Sequence, residues 1–336
     1  MRQAELIKHM EDPDSYTEKP RSITLIQTHI SWVFIGDEYV YKIKKPVNFG
    51  FLDFSSLEKR RFYVGEELRL NKRFSPDIYL DALPISEEKG SFVIGDSSNI
   101  IEYALKMKRI NEEDMLYKLL EANKVTPELM QRLGRHIADV YRKIPSDEKT
   151  KAYGSLDTIS RNVMENFEQT LKYIGGPVSQ EAYNKIRVWS MAFMEDNKSL
   201  FEKRMDGGYI KDCHGDLHLQ HICIDDERIV IFDCIEFNER FRFGDVASDI
   251  AFLAMDLDYN GYKNLRETFV NTYIDASGDT MLKDVLKFYK IYRAYVRAKV
   301  TSFMLDDTGL DTVTKDKAYQ KAKSYYTLAL EYTKFE

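Results

Sequence analysis

Three cysteines in 336 residues (Cys213, Cys223 and Cys234) are too few for a disulfide scaffold, and their odd number points to a reducing compartment. No apolar run approaches the ~18 residues that crossing a bilayer requires. The N-terminal stretch MRQAELIKHMEDPDSYTEKP lacks the continuous apolar core of a secretory signal. A basic surplus is missing too. Forty-nine Lys and Arg face 55 Asp and Glu, a formal net charge of −6, so nothing marks a nucleic-acid-binding face. A local basic pocket for a phosphorylated ligand remains compatible with that balance. These absences predict a cytoplasmic protein with neither nucleic acid nor membrane among its partners. The rest of the composition, 43% hydrophobic and 31% charged, is that of an ordinary globular chain. Its length suggests two domains or two lobes.

The first hundred residues read as β-rich. Short runs of β-branched and aromatic residues occur at 22–27 (SITLIQ), 31–35 (SWVFI) and 39–44 (YVYKIK), and Gly36-Asp37 between the last two suggests a hairpin turn. SSLEKRRFYVGEELRLNKRF follows as a helix that Ser55 and Glu58 open as a capping box. Strands are expected at 79–85, 91–94 and 101–107. After Arg109 the pattern turns helical. Thr126-Pro127 starts one helix, with Leu129, Leu133, Ile137, Val140 and Ile144 at helical spacing. Further helices are expected over 156–173, over 181–205 and from about Asp245 onward. Two short strands, 222–224 and 229–232, interrupt them, joined by the polar turn DDER. The expected architecture is α+β, with a β-rich lobe over 1–109 ending in a hinge strand and a helical lobe over 110–336.

The interruption is where chemistry concentrates. CHGDLHLQHICIDDERIVIFDCIEFN places His214, His218 and His221 within eight residues of a chain that has six histidines, beside Asp216, and ends in Asp233 and Glu236. HGD puts a carboxylate in a turn with a glycine that lets the backbone bend. A tight hairpin returns the chain close to its start, so Asp216 and Asp233 are expected near one another. Two such carboxylates suit a metal ion with one of them free to accept a proton, as phosphoryl transfer requires.

HGDLHLQHICI followed by IFDCIEFN resembles the catalytic and metal-binding segments of the aminoglycoside phosphotransferase-like kinases, the small-molecule branch of the protein-kinase-like fold. FGDVASDIAFLAMDL resembles that family's next helix, and the order of β lobe, lysine strand, helix with Glu, and hinge also matches. The resemblance implies an ATP-dependent, Mg²⁺-requiring kinase acting on a hydroxyl-bearing small molecule. By it, Asp216 is the catalytic base, Asp233 holds Mg²⁺, Glu236 lies in the metal loop, and Asp249 braces the catalytic loop. His221 occupies the family's asparagine position as metal ligand, a departure, because Mg²⁺ prefers oxygen.

Strand alternation sets Val40, Lys42 and Lys44 on one face. The resemblance favours Lys42 as the α/β-phosphate contact, with Lys44 as runner-up. On the following helix Glu67 flanks the inward face formed by Leu57, Val64 and Leu68, and the kinase ion pair would join it to Lys42. No G-x-G-x-x-G is present. QTHIS, residues 27–31, stands in its place, where Thr28, His29 and Ser31 offer hydroxyls or N–H groups to phosphates, or form an ordinary polar turn. Met107, at the end of IEYALKM, is the adenine contact by resemblance and a core strand end otherwise.

Other readings stay open: a kinase-like regulatory nucleotide binder, a metal-dependent phosphohydrolase, or a zinc site drawn from Cys213, His214, His218, His221 and Cys223. On the acceptor side, Lys290, Arg293 and Arg297 share one helical face. That face either lines a pocket for an anionic substrate or is a solvated basic surface.

Overall fold

The computed structural model describes residues 2–88, 91–225 and 227–334. Contacts divide the chain into two compact units, Met1–Asn123 with Gln220–Glu239, and Lys124–Leu219 with Arg240–Glu336. Among the described residues no helix is long and apolar enough to cross a membrane.

The first unit is an antiparallel sheet with helices. Helix α1 (Arg2–Met10) precedes β1 (Thr24–Gln27), β2 (Ser31–Ile35) and β3 (Tyr39–Lys44); then come α2 (Leu57–Lys72), β4 (Tyr79–Glu88), β5 (Ser91–Ile94), β6 (Ile100–Lys108) and α3 (Leu116–Glu121). The strand order is β1-β2-β3-β6-β4-β5. Gly36 N–H closes the β2–β3 turn on Tyr39 O at 2.9 Å. Alternation in β3 divides the core. Tyr41 and Ile43 join Leu6, Met10, Phe34 and Ile85 in one cluster, and Val40 packs with Val64, Tyr79, Leu105 and Met107 in another. The second cluster also takes Cys223 and Val230 from the hairpin β8 (Ile222–Asp225) and β9 (Arg228–Ile231).

Two local expectations are corrected here. The cap of α2 is Ser56, whose hydroxyl accepts from Lys59 N–H; Ser55 is one residue early because Asp53 Oδ1 engages both its N–H (3.0 Å) and its hydroxyl (2.6 Å). Helix α1 falls in a stretch read only for its lack of a signal. With Leu6 and Met10 its buried apolar positions in nine residues, its periodicity is too short to register.

In the second unit, α4 (Pro127–Lys143) begins as expected, with Thr126 as cap and Pro127 in its first turn. It is followed by α5 (Glu148–Lys151), α6 (Leu156–Thr170), α7 (Gln180–Asp196) and α8 (Lys198–Asp206). The single helix expected over 181–205 breaks at Asn197, whose side chain takes up the Phe193 carbonyl at 2.9 Å. A small ladder pairs β7 (Ile210–Asp212) with β10 (Phe243–Asp245), which follows the turn α9 (Glu239–Arg242). Helices α10 (Val246–Tyr259), α11 (Lys263–Ser277), α12 (Leu282–Phe303) and α13 (Thr312–Tyr332) complete it. Gly134 lets α4 approach α11, since a Cβ there would lie 3.0 Å from Phe269 O. Fully buried Arg204 joins Asp245 Oδ2 at 2.5 Å and Asp279 Oδ1 at 2.8 Å, so the charge is paired on both sides.

Candidate active site

In the first unit, strand β3 and helix α2 present their charges to each other. Lys42 Nζ lies 2.7 Å from Glu67 Oε1 and 3.0 Å from Asp233 Oδ1. Two residues along the same strand face, Lys44 Nζ lies 2.7 Å from Glu67 Oε2 and also contacts Glu236 Oε1. Glu67 therefore carries two ammonium groups, one per oxygen. The two ends differ in access. Asp233 is 43% exposed and Lys42 17%, whereas the Lys44 side chain is 1% exposed and Glu236 is buried.

The electrostatics follow from that arrangement. Burial works against the charge on Lys42, but Asp233, Glu67 and Glu236 outweigh it and hold its pKa well above the ordinary lysine value. Burial would likewise raise Glu67, and Lys42 with Lys44 overcomes it, leaving the carboxyl below the usual range. Burial pushes the Glu236 carboxyl up against the pull of Lys44.

The loop that carries Asp233 is pinned by α2 and β4. Asn71 Oδ1 accepts from Cys234 N–H at 2.9 Å, and its Nδ2 donates to Glu67 O at 2.8 Å. Ser75 Oγ accepts from Ile231 N–H (2.9 Å) and donates to Ile231 O (2.8 Å). Asp233 N–H donates to the buried Tyr79 hydroxyl at 3.0 Å. Asp233 itself has φ +64°, a left-handed conformation that aspartate tolerates better than most side chains. His221 Nε2 stands 3.6 Å from Asp233 Oδ2.

The other expected residues of this unit sit as follows. Thr28 Oγ1 accepts from Ser31 N–H at 2.9 Å and closes the 27–31 turn. The Ser31 hydroxyl is buried without a hydrogen-bond partner among the described residues. Met107 packs beside Leu105 and Ile78 in the second core cluster. Cys223 lies in the same cluster, and burial pushes its thiol up to about 12, a setting that opposes the thiolate a zinc site needs.

In the second unit, the HGD turn rests on α10. Asp249 accepts from His214 N–H at 2.8 Å and from Gly215 N–H at 3.2 Å. It also receives the Tyr141 hydroxyl and, at 3.3 Å, Arg293 Nη2. Arg293 reaches past it to donate to Gly215 O at 2.9 Å. Gly215 has φ +86°, which lets the chain turn directly before Asp216. Asp216 N–H donates to His214 Nδ1 at 3.3 Å, and the Asp216 carboxylate, 33% exposed, lies 3.4 Å from His218 Nε2. Two turns along α10 from Asp249, Asp256 Oδ2 accepts from Leu219 N–H at 3.0 Å.

The solvated basic face is thereby corrected. Lys290 and Arg293 are buried, Lys290 at 2.5 Å from Asp258 Oδ2 and Arg293 beneath the turn. Sequence reasoning also missed Asn71, Ser75 and the joint use of Lys42 and Lys44. The repeated K-I-K alternation was the available signal for the last; a polar residue on a buried helix face was the signal for Asn71.

Residues 212–289, the segment with the HGD turn, the Asp233 loop and α10, match the phosphotransferase enzyme family model. Uncharacterized proteins of Mycobacterium tuberculosis and Mycobacterium bovis are 29% identical over 289 residues, covering 86% of this chain. The chain spans 56% of the length of those relatives. Among solved structures, a choline kinase from Cryptosporidium parvum superposes with TM-score 0.56 at 11% identity, covering 99% of this chain and 95% of its own. A choline/ethanolamine kinase family protein from Mesorhizobium loti gives 0.55 at 10%, covering 98% and 99%. The GDP complex of an aminoglycoside 2′-phosphotransferase gives 0.55 at 9%, covering 96% and 97%. The chain thus has the protein-kinase-like fold and resembles the aminoglycoside phosphotransferase-like family, with a phosphotransferase-family segment spanning its HGD and IFD motifs.

Proposed function

We propose that the protein is an ATP-dependent phosphotransferase that moves the γ-phosphoryl group to a hydroxyl of a small molecule. The observation that carries the reading is the Lys42 bridge. One partly exposed ammonium joins buried Glu67 to exposed Asp233, so a cation for phosphate and an oxygen ligand for a metal stand side by side. The donor set fits Mg²⁺ and nucleotide, and the GDP complex of a fold relative agrees with a nucleotide ligand on this fold. When bound, Mg²⁺ held by Asp233 would neutralise charge developing on the transferred phosphoryl group.

Lys42 binds the α/β-phosphates, and Glu67 orients it. Residues 27–31 cover the phosphates, with Thr28 shaping the turn and Ser31 at its base. The strand ending near Arg109 is the hinge for adenine, with Met107 as the apolar contact. Asp216 accepts the hydroxyl proton as the acceptor oxygen bonds to the γ-phosphorus and the bond to the departing diphosphate breaks. His218 and the Asp249–Arg293 brace keep Asp216 in place.

Calorimetric titration with ATP, with and without Mg²⁺, tests the reading. Affinity that tightens with Mg²⁺ supports it, and no ATP binding ends it. ATP binding indifferent to Mg²⁺ would favour the second reading, a regulatory nucleotide binder, for which His221 beside Asp233 is the motivating feature.

A further inference from the structure

The acceptor class can be read from the cations around Asp216, given the phosphotransferase reading above. On α12, Lys290 and Arg293 are matched by Asp258 and Asp249. Arg297 lies one helical turn beyond Arg293, on the same face. Arg293 itself donates to the carbonyl of Gly215, the residue before Asp216. Unlike its neighbours, Arg297 has no carboxylate within ion-pair distance among the described residues. Its neighbour is Tyr325 on α13, whose ring centroid lies 5.7 Å from the guanidinium carbon. A guanidinium has five N–H donors, so most of this one is unfilled.

Four further residues define the surroundings. Asp216 and Asp256 are the acids whose field reaches Arg297. Both already have partners, Asp216 in His218 and Asp256 in Leu219 N–H. Lys321, exposed on α13, feels Arg297 and Asp256, and also has no carboxylate within ion-pair distance among the described residues. Tyr259 stacks on Tyr325 at 4.0 Å and fixes the ring that orients Arg297. Arg297 therefore stands one helical turn from the arginine that holds the Asp216 turn and within the field of that carboxylate, with Lys321 as the next cation beyond it. A cationic acceptor would need the reverse, accessible acids free of partners. We infer that the acceptor is a hydroxyl compound bearing an oxyanion, a carboxylate or a phosphate, which Arg297 binds in a two-pronged contact and Lys321 supports.

The test starts with Mg²⁺ and the non-hydrolysable analogue AMP-PNP at saturation, so that the nucleotide site is filled. Sodium sulfate is then titrated at ionic strength held constant with chloride, with thermal unfolding and calorimetry as readouts. Wild type should bind sulfate. Arg297→Gln and Lys321→Gln should each weaken it roughly tenfold or more, the loss of charge-assisted hydrogen bonds, and Arg297→Lys should recover part of it. No sulfate binding by wild type, or wild-type affinity in both glutamine variants, overturns the inference while leaving the kinase reading intact. Failure of the Mg²⁺–nucleotide complex to bind in the first step overturns both. Turnover with glycerol, ethanolamine, glyceric acid and glycerol 3-phosphate then separates the sources: preference for the third or the fourth assigns carboxylate or phosphate. Ethanolamine used as well as either acid would overturn the assignment.

Discussion

Asp216 and Glu236 are both carboxylates in one short segment, yet their surroundings differ. Asp216 is partly open and ends a turn whose backbone is held by Asp249 and Arg293. Asp216→Asn should lower kcat by about 10²–10⁴-fold, the span of general-base contributions, and leave nucleotide affinity nearly unchanged in calorimetry. Retained turnover would remove it as the base. Glu236 is buried against Lys44, so Glu236→Ala takes away one of the two carboxylates on that ammonium, leaves it to Glu67 alone, and should lower unfolding stability by about 1–3 kcal/mol in denaturant titrations. Unchanged stability would mean that the pair contributes nothing. His221→Asn should preserve or raise Mg²⁺-supported activity; collapse there would give the imidazole a function of its own. Lys299 supplies a pH test. Its ammonium donates to the amide oxygens of Asn166 (2.6 Å) and Gln169 (2.8 Å), and burial, aided by Arg240, pushes its pKa down to about 8. A lowered lysine pKa means the unfolded chain binds more protons, so stability should rise between pH 8 and about 10.5. Lys299→Met should flatten that rise in pH-dependent unfolding curves.

Elements show how much of this was legible beforehand. The order of strands and helices, the β2–β3 turn and the start of α4 follow from local chemistry: β-branched runs, a Gly-Asp turn, a Thr-Pro cap. Alternation on the strand and periodicity on the helix gave Lys42 and Glu67 inward faces, and the resemblance is what chose Lys42 over Lys44 and joined it to Glu67. Contacts between distant residues were not. Lys44 and Glu236 lie 192 residues apart, and spacing cannot say which carboxylate a second inward lysine meets. Nor does composition separate a solvated basic stripe from Lys290 and Arg293, which are buried with partners on other helices. Asn71 is the clearest case, a helix residue whose value lies in joining α2 to the 231–234 segment. Asn71→Ala should cost about 1–3 kcal/mol, since the bonds from Cys234 N–H and to Glu67 O are lost, and should weaken Mg²⁺-dependent nucleotide binding. Loss of stability with binding intact would confine Asn71 to a structural part. Gly154 marks another close approach. A Cβ there would lie 2.3 Å from Cγ1 of buried Ile210, so Gly154→Ala should destabilise by about 1–3 kcal/mol in thermal unfolding.

At the scale of the whole molecule, the first unit is discontinuous in sequence. Residues 220–239 complete it by supplying Cys223 and Val230 to its core, partners for Ser75 and Asn71, and a second counter-ion for Lys44. A fragment of residues 1–123 should therefore unfold without a cooperative transition. Appending 220–239 through a flexible linker of about ten Gly/Ser residues should restore one. Cooperative unfolding of the bare fragment would show that the returning segment is dispensable.

That discontinuity has a consequence for birth on the ribosome. When residue 123 has left the exit tunnel, Lys44 and Glu67 have been made but Glu236 has not, and about a hundred residues of the other unit come first. At ~5–20 residues per second the wait is roughly 5–20 s, long compared with the collapse of a small domain. Through that interval a nascent β-sheet carries two inward lysines that share the single carboxylate of Glu67 and an unfilled apolar face, a natural client for a holdase chaperone until its last twenty residues arrive.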